Sequence, residues 1–98
     1  MTSDDVLAIL AHYDLCLFRD YRAGKAGVPD KITISIRHCD GTAVSNPDLS
    51  KFDVPEEMFL DFESRGFIMH ASPPLSRYRL TEEGRRRGLD GPGPVKAN

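Results

Sequence analysis

The stretch KFDVPEEMFLDFESRGFIMHASPPLSRYRLTEEGRRR, residues 51–87, decides the fold of this chain. It predicts a helix over residues 54–65, in which Asp53 is the N-cap and Glu56, three residues later, completes a capping box. Apolar residues recur along this helix at three- and four-residue steps, and Gly66 stands where a left-handed C-cap belongs. The stretch therefore begins with one amphipathic helix that ends at a glycine.

A β-hairpin and a second helix are predicted after that glycine. The apolar alternation over residues 67–71 indicates one strand, and residues 77–80 indicate its partner across a proline-marked turn. Thr81 is an N-cap candidate for a short C-terminal helix, because Glu82 and Glu83 suit the positive end of a helix dipole.

The order of helix, Glu-Ser-Arg-Gly-Phe-Ile, hairpin and Tyr-Arg-Leu-Thr-Glu-Glu-Gly-Arg resembles the recognition helix and wing of winged helix-turn-helix proteins. It is most similar to bacterial PadR-like and MarR-like regulators, and the resemblance covers residues 62–87. The resemblance implies an α+β, winged-helix-like fold. It also implies a small DNA-binding protein of the transcriptional-regulator type, without catalytic activity and working as a dimer on double-stranded DNA.

The first half of the chain is predicted to supply a long helix and another hairpin. Thr2 or Ser3 can cap a helix over residues 3–23, whose apolar residues recur at helical spacing. Residues 32–36 alternate as a half-buried strand, which turns at Asp40-Gly41 into a short return strand over residues 42–45. Residues 48–52 leave room for barely one helical turn before the central helix.

Composition places the chain among ordinary globular proteins of one domain. With 98 residues, 40% hydrophobic and 29% charged, it can bury a single core, for which we expect residues 1–88. Residues 89–98 have the composition of a disordered tail. Cys16 and Cys39 do not make a disulfide framework, so we expect a reduced, cytoplasmic protein with no membrane segment.

Five arginines are the candidate DNA-backbone contacts under the resemblance. Between Gly66 and Gly88 the chain carries five arginines against two glutamates, and clustered cations of this kind can contact phosphates. The alternative is ordinary solvated positions on a strand and in a last helical turn, where arginine is favourable. The five candidates are Arg77, Arg79, Arg85, Arg86 and Arg87.

The predicted recognition helix supports a different class of partner. It carries four carboxylates against the single cation Arg65, and exposed carboxylates oppose entry into a groove between phosphates. The alternative function is therefore a winged-helix protein-protein interaction module that docks an acidic helix on a basic protein surface. A phage or mobile-element inhibitor of a host nucleic-acid-binding complex would be one example. The acidic face comprises Glu56, Glu57, Asp61 and Glu63.

No spacing in the sequence indicates catalysis, a metal or a cofactor. His38-Cys39-Asp40 contains metal-ligand residue types, and Cys39 could in principle pair with His12, His38 or His70, but no CxxC, HExxH or similarly spaced set is present. A homodimer through the N-terminal helix is a further hypothesis, because apolar residues spill beyond its main stripe. These residues are Leu7, Leu15, Cys16 and Phe18.

Overall fold

The structure, a computed structural model, describes residues 1–90, which form four helices and one four-stranded sheet. Every strand pair is antiparallel, and the strand order is β2-β1-β4-β3. The predicted α+β class is confirmed. The elements in chain order are α1 (Ser3–His12), β1 (Leu15–Arg22), β2 (Lys31–His38), α2 (Pro47–Ser50), α3 (Glu56–Ser64), β3 (Ile68–His70), β4 (Arg77–Leu80) and α4 (Glu82–Asp90).

Helix α1 begins as predicted and ends much earlier than predicted. Thr2 caps it through a full capping box with Asp5, which satisfies two backbone N–H groups at the helix start. The helix stops at His12, and the chain turns at Asp14, whose φ is +53°. The prediction of a helix over residues 3–23 is therefore wrong after His12.

The second part of the predicted helix is strand β1, and burial explains why the pattern was ambiguous. Residues 15–18 are all at most 5% exposed, so this segment is covered on both sides of the sheet. A strand buried on both faces has no alternation, and a short apolar run cannot be distinguished from a helix by periodicity. Tyr13 and Tyr21, which would lie on the apolar stripe of the helix predicted over residues 3–23, are 47% and 62% exposed.

Strand β2 was predicted correctly in position, but its partner was not. It pairs along its full length with β1, from Leu15 opposite His38 to Arg22 opposite Lys31. The expected return strand over residues 42–45 is reduced to a single bridge between Arg37 and Ala43. The Asp40-Gly41 turn does form, with Gly41 at φ +93°.

Helix α3 occupies the predicted place with a different start. Pro55 is its N-cap and makes no side-chain cap hydrogen bond, so the predicted capping box of Asp53 with Glu56 is wrong. Asp53 instead forms a bridge with Ser35 on the open edge of β2. The end of the helix is as predicted, with Gly66 at φ +73° beyond Arg65.

The hairpin and α4 follow the sequence closely. β3 and β4 pair antiparallel, and Thr81 accepts a hydrogen bond from the Gly84 N–H at the start of α4. Helix α4 extends to Asp90, so the first two residues of the predicted tail are helical. Residues 91–98 of that prediction lie outside the described residues.

The core lies between one face of the sheet and the helices α1 and α3. Side chains alternate across a strand, so Tyr78 and Leu80 of β4 face this core while Arg77 and Arg79 face the opposite side. The ring of Tyr78 meets that of Phe59 edge to face at 4.8 Å. The largest fully buried side chains include Phe59, Phe62, Leu7, Leu10, Leu17, Ile34 and Ile36.

Two glycines let α4 approach its neighbours at backbone distance. A Cβ atom added at Gly88 would lie 2.4 Å from the Leu7 carbonyl oxygen on α1. One added at Gly84 would lie 2.0 Å from the carbonyl oxygen of Phe67. Because both obstacles are backbone atoms, a side chain at either position forces α4 away.

We therefore expect Gly88→Ala to lower the free energy of unfolding by about 1–3 kcal/mol, the usual cost of overpacking. Alanine in place of glycine would otherwise stabilise an exposed helix by roughly 1 kcal/mol, so the sign of the change is diagnostic. Arg86→Ala in the same helix is the control, since that side chain is 71% exposed. Denaturant unfolding measures the stability of both variants. A Gly88→Ala protein that is more stable than the wild type would contradict the close packing of α4 on α1.

Cys16 and Cys39 form a disulfide, which corrects the prediction of free, reduced cysteines. The bond joins β1 to the turn that follows β2, across 23 residues of sequence. The two Cα atoms lie 5.0 Å apart, within the usual range for a disulfide. A cysteine on one strand and a cysteine in the turn beyond its partner strand cannot be matched until the strand pairing is known.

Removing this bond by Cys16→Ser/Cys39→Ser should lower the free energy of unfolding by roughly 3 kcal/mol, the value for a closed loop of this length. A reducing agent should lower the thermal midpoint of the wild type to about that of the double variant. It should leave the midpoint of the double variant unchanged. Thermal unfolding with and without reductant measures both effects. Equal midpoints for oxidised wild type and the variant would contradict a stabilising bond.

Candidate functional site

Arg77 is a structural clamp rather than a free cation. Its Nε donates to the Ala71 carbonyl oxygen at 2.9 Å, and its Nη1 donates to the Cys39 carbonyl oxygen at 2.8 Å. The side chain is partly buried, and these two bonds tie the β3–β4 hairpin to the disulfide-bonded turn. Arg79, two residues along the same strand, is exposed and makes no ion pair within residues 1–90.

The turn that presents the Cys39 carbonyl is held by Asp40. The Thr42 hydroxyl and backbone N–H both donate to Asp40 Oδ1, at 2.6 and 2.9 Å. These two bonds favour the charged carboxylate and hold the pKa of Asp40 below its usual value. The Gly41 N–H also donates to the His38 carbonyl, so the turn is fixed on both sides of Cys39.

The three arginines of α4 each pair with a carboxylate of the same molecule. Arg85 Nη1 lies 2.8 Å from Asp14 Oδ1, and the pairs of Arg86 and Arg87 are longer. All three pairs are exposed, and exposed pairs contribute about 0–1 kcal/mol. Another anion can therefore replace the carboxylate of such a pair at little cost in free energy. The longer pairs are Arg86 with Glu82 at 3.7 Å and Arg87 with Asp4 at 3.5 Å.

Three of the five predicted arginines meet around one cleft, which we call the arginine cleft. Arg77 and Arg79 come from the outer face of β4, and Arg85 comes from α4. Asp14 and the Cys16–Cys39 disulfide form further parts of its wall, and its volume is about 390 Å³. Arg86 and Arg87 do not line it, so the five residues do not form a single surface.

The acidic residues of α3 divide into paired and unpaired groups. Glu56 lies 3.0 Å from Arg19 of β1, and Asp61 lies 3.2 Å from Arg65 one turn later. Glu57 and Glu63 are exposed and make no ion pair in the described part of the chain. The strongest negative charge therefore lies on the solvent side of the helix.

Leu60 lies in the middle of this acidic side. It is 50% exposed, whereas Phe59 and Phe62 on the other side of α3 are each 1% exposed. Leu60 follows Glu56 by four residues and precedes Glu63 by three, so the three side chains share one helical face. We call the set Glu56, Glu57, Leu60 and Glu63 the α3 face.

Sequence reasoning missed three residues of these surfaces. Leu60 could have been found, because it falls outside the apolar stripe of α3 and so has no place in the core. Arg19 and Asp14 could not, because each was assigned to a long helix and neither contact is near in sequence. Arg19 also lies over the Phe59 ring, with its Cζ 5.6 Å from the centroid.

The apolar residues that suggested a dimer are buried inside this chain. Leu7, Leu15, Cys16 and Phe18 are between 2% and 5% exposed. They pack within the chain because residues 15–18 belong to a central strand and not to a helix surface. The observation on which the homodimer hypothesis rested is thereby removed.

Residues 1–90 contain no group of three or more His, Cys, Asp or Glu side chains arranged to hold a metal ion. Within the same residues, none of the helices has the length and apolar character needed to cross a membrane. Comparisons with protein-family models, with curated proteins and with solved structures find no match to this chain.

Exchanging Arg77 for lysine tests its role as a clamp. Lysine cannot reproduce two hydrogen bonds from one planar group, so Arg77→Lys should destabilise the protein by about 1–3 kcal/mol. Arg79→Lys, on the same strand face but exposed, should change stability by less than about 0.5 kcal/mol. Chemical denaturation of both variants makes the comparison, and equal stabilities would contradict the clamp.

Proposed function

We propose that this chain is a winged-helix-like, non-catalytic interaction module that docks the α3 face on a basic protein surface. The observation that carries the proposal is the half-exposed Leu60 framed by carboxylates on the helix that precedes the wing. An apolar residue surrounded by charges of one sign provides both a buried contact and a specific orientation.

The order of elements supports the winged-helix-like part of the proposal. A very short α2 precedes α3, the β3–β4 hairpin follows it, and β4 returns to pair with β1. In winged-helix proteins a recognition helix precedes a wing in a similar order. The eight-residue strands of the β1–β2 hairpin are an addition to that arrangement.

The charge of α3 favours a protein partner over duplex DNA. A recognition helix enters the major groove between two rows of phosphates, where each exposed carboxylate is repelled. Glu57 and Glu63 are not neutralised by a cation within residues 1–90, and Glu56 pairs with Arg19 alone among these residues. A positively charged protein surface offers the opposite electrostatics, and the same carboxylates then speed association.

Duplex DNA remains the second candidate, because Arg77 and Arg79 lie together on one face of the wing strand. Such binding would use the wing and the predicted backbone contacts Arg85, Arg86 and Arg87, without insertion of α3. It predicts strong salt dependence, since each phosphate contact releases counterions.

The α3 proposal is tested by placing a photo-crosslinking residue at position 60 and recovering the partner from cells that express the protein. Leu60→Glu and Glu57→Lys/Glu63→Lys should each weaken binding to the recovered partner by about tenfold or more, as expected for a central contact. Glu82→Lys/Glu83→Lys is the matched control, because it makes the same charge change on α4. The proposal fails if the control and the α3 variants lose affinity equally.

The same proteins distinguish the second candidate. Binding to random-sequence duplex DNA across a salt series should be absent or very weak for the wild type under the α3 proposal. Tight binding that falls steeply with salt, and that is lost in Arg79→Ala, would instead support the DNA-binding function.

A further inference from the structure

We propose that the arginine cleft binds the phosphate group of a small phosphate monoester. Arg79 and Arg85 would contact the phosphate oxygens, and Arg77 would hold the wall behind them. This site is separate from the α3 face, and its ligand is of a different chemical class from the partner proposed for that face.

The cleft concentrates positive charge. Three guanidinium groups line the cleft, and the carboxylate of Asp14 is the one acidic group among its lining residues. Guanidinium groups present N–H donors in a planar fork that matches the oxygens of a phosphate. The chain as a whole has a net charge of −2, so this concentration of cations is a local feature.

The shape and lining of the cleft suit a small molecule. Its volume of about 390 Å³ lies within the range of small-molecule sites. Ala71 and Cys39, which are both partly exposed, provide a less polar part of the wall beside the arginines. A phosphate can therefore bind at the charged end while a carbon-containing portion contacts this less polar part.

Arg77 is held in a fixed position at the cleft. Its hydrogen bonds to Ala71 and Cys39 use Nε and Nη1, so Nη2 is not engaged in the hydrogen bonds of the described residues. A guanidinium held by two backbone carbonyls loses little further freedom when it contacts a ligand. Arg77 is thus a preorganised part of the cleft.

Asp14 acts as an internal counter-ion that the ligand must displace. It lies 2.8 Å from Arg85 Nη1, and 78% of its side chain is exposed. A phosphate monoester carries a charge of about −1.5 to −2 at pH 7, against −1 for a carboxylate or a phosphodiester. The exchange therefore favours a monoester over a diester of the nucleic-acid backbone.

The experiment is a titration of the full oxidised chain, followed by ¹H–¹⁵N NMR at constant ionic strength. The probes are inorganic phosphate, a nucleoside 5′-monophosphate, and a short single-stranded oligonucleotide that lacks terminal phosphates. Saturable shifts at Arg79, Arg85 and their neighbours are expected with the first two probes. Affinity should rise between pH 5 and pH 7 as the phosphate loses its second proton, near pH 6.

Substitutions in the cleft are expected to change its affinity for a nucleotide in both directions. Asp14→Asn should tighten nucleotide binding several-fold, because it removes the competing charge, and asparagine tolerates the positive φ of this position. Arg79→Gln and Arg85→Gln should each weaken it by about tenfold. Arg86→Gln is the control, since Arg86 belongs to the same helix and pairs with Glu82 outside the cleft.

Three results would overturn the proposal. The first is a set of shifts that never saturate and that chloride reproduces. The second is unchanged or weaker binding by Asp14→Asn, a variant whose fold can be verified in the same spectra. The third is binding of the unphosphorylated oligonucleotide as tightly as the monophosphate, which would assign the cleft to backbone phosphodiesters.

Discussion

The structure depends on strand β1 being covered on both faces. β1 is the shared neighbour of β2 and β4, so both hairpins of the sheet are joined through it. Leu15 and Leu17 point into the core beneath the helices, while Cys16 and Phe18 point to the opposite side and are equally buried. Burying four successive side chains commits the segment to a central position, which in turn fixes where Arg77 and Arg79 lie.

The outer side of β1 is covered by polar connections as well as by apolar contact. The disulfide fastens Cys16 to the turn after β2, and Arg77 joins that turn to the β3–β4 hairpin. A charged group that donates to two backbone carbonyls satisfies acceptors that would otherwise lose water on burial. The disulfide and the two hydrogen bonds of Arg77 that cover this face of the sheet therefore also position the wall of the arginine cleft.

The second half of the chain was far more predictable from sequence than the first. From Phe59 to Thr81 each signal is local: a helical stripe, a glycine with positive φ, a proline-marked turn and a hydroxyl cap. The first half depends on contacts between distant residues. Leu15–Arg22 is a strand because β2 and β4 flank it. Asp53 forms a bridge with Ser35 and not the predicted capping box.

The site residues follow the same division. The acidic character of α3 could be read from the sequence, because the helix and its charges are local features. The cleft could not, since Arg85 meets Asp14 only when α4 packs on α1 through Gly88, and that contact spans 71 residues of sequence. The disulfide was missed for the same reason, because only the pairing of β1 with β2 brings Cys16 to the turn that carries Cys39.

The α3 face and the arginine cleft, which carry opposite charge, lie on opposite sides of the sheet. Tyr78 contacts Phe59 of α3 on one face, and its neighbours Arg77 and Arg79 alternate to the other face. Packed layers lie about 10 Å apart, more than the Debye length of about 8 Å at physiological salt, so salt screens the interaction between exposed charges on the two faces. The small net charge of −2 is consequently a sum over two unlike surfaces. It does not describe the field that a partner meets at either one.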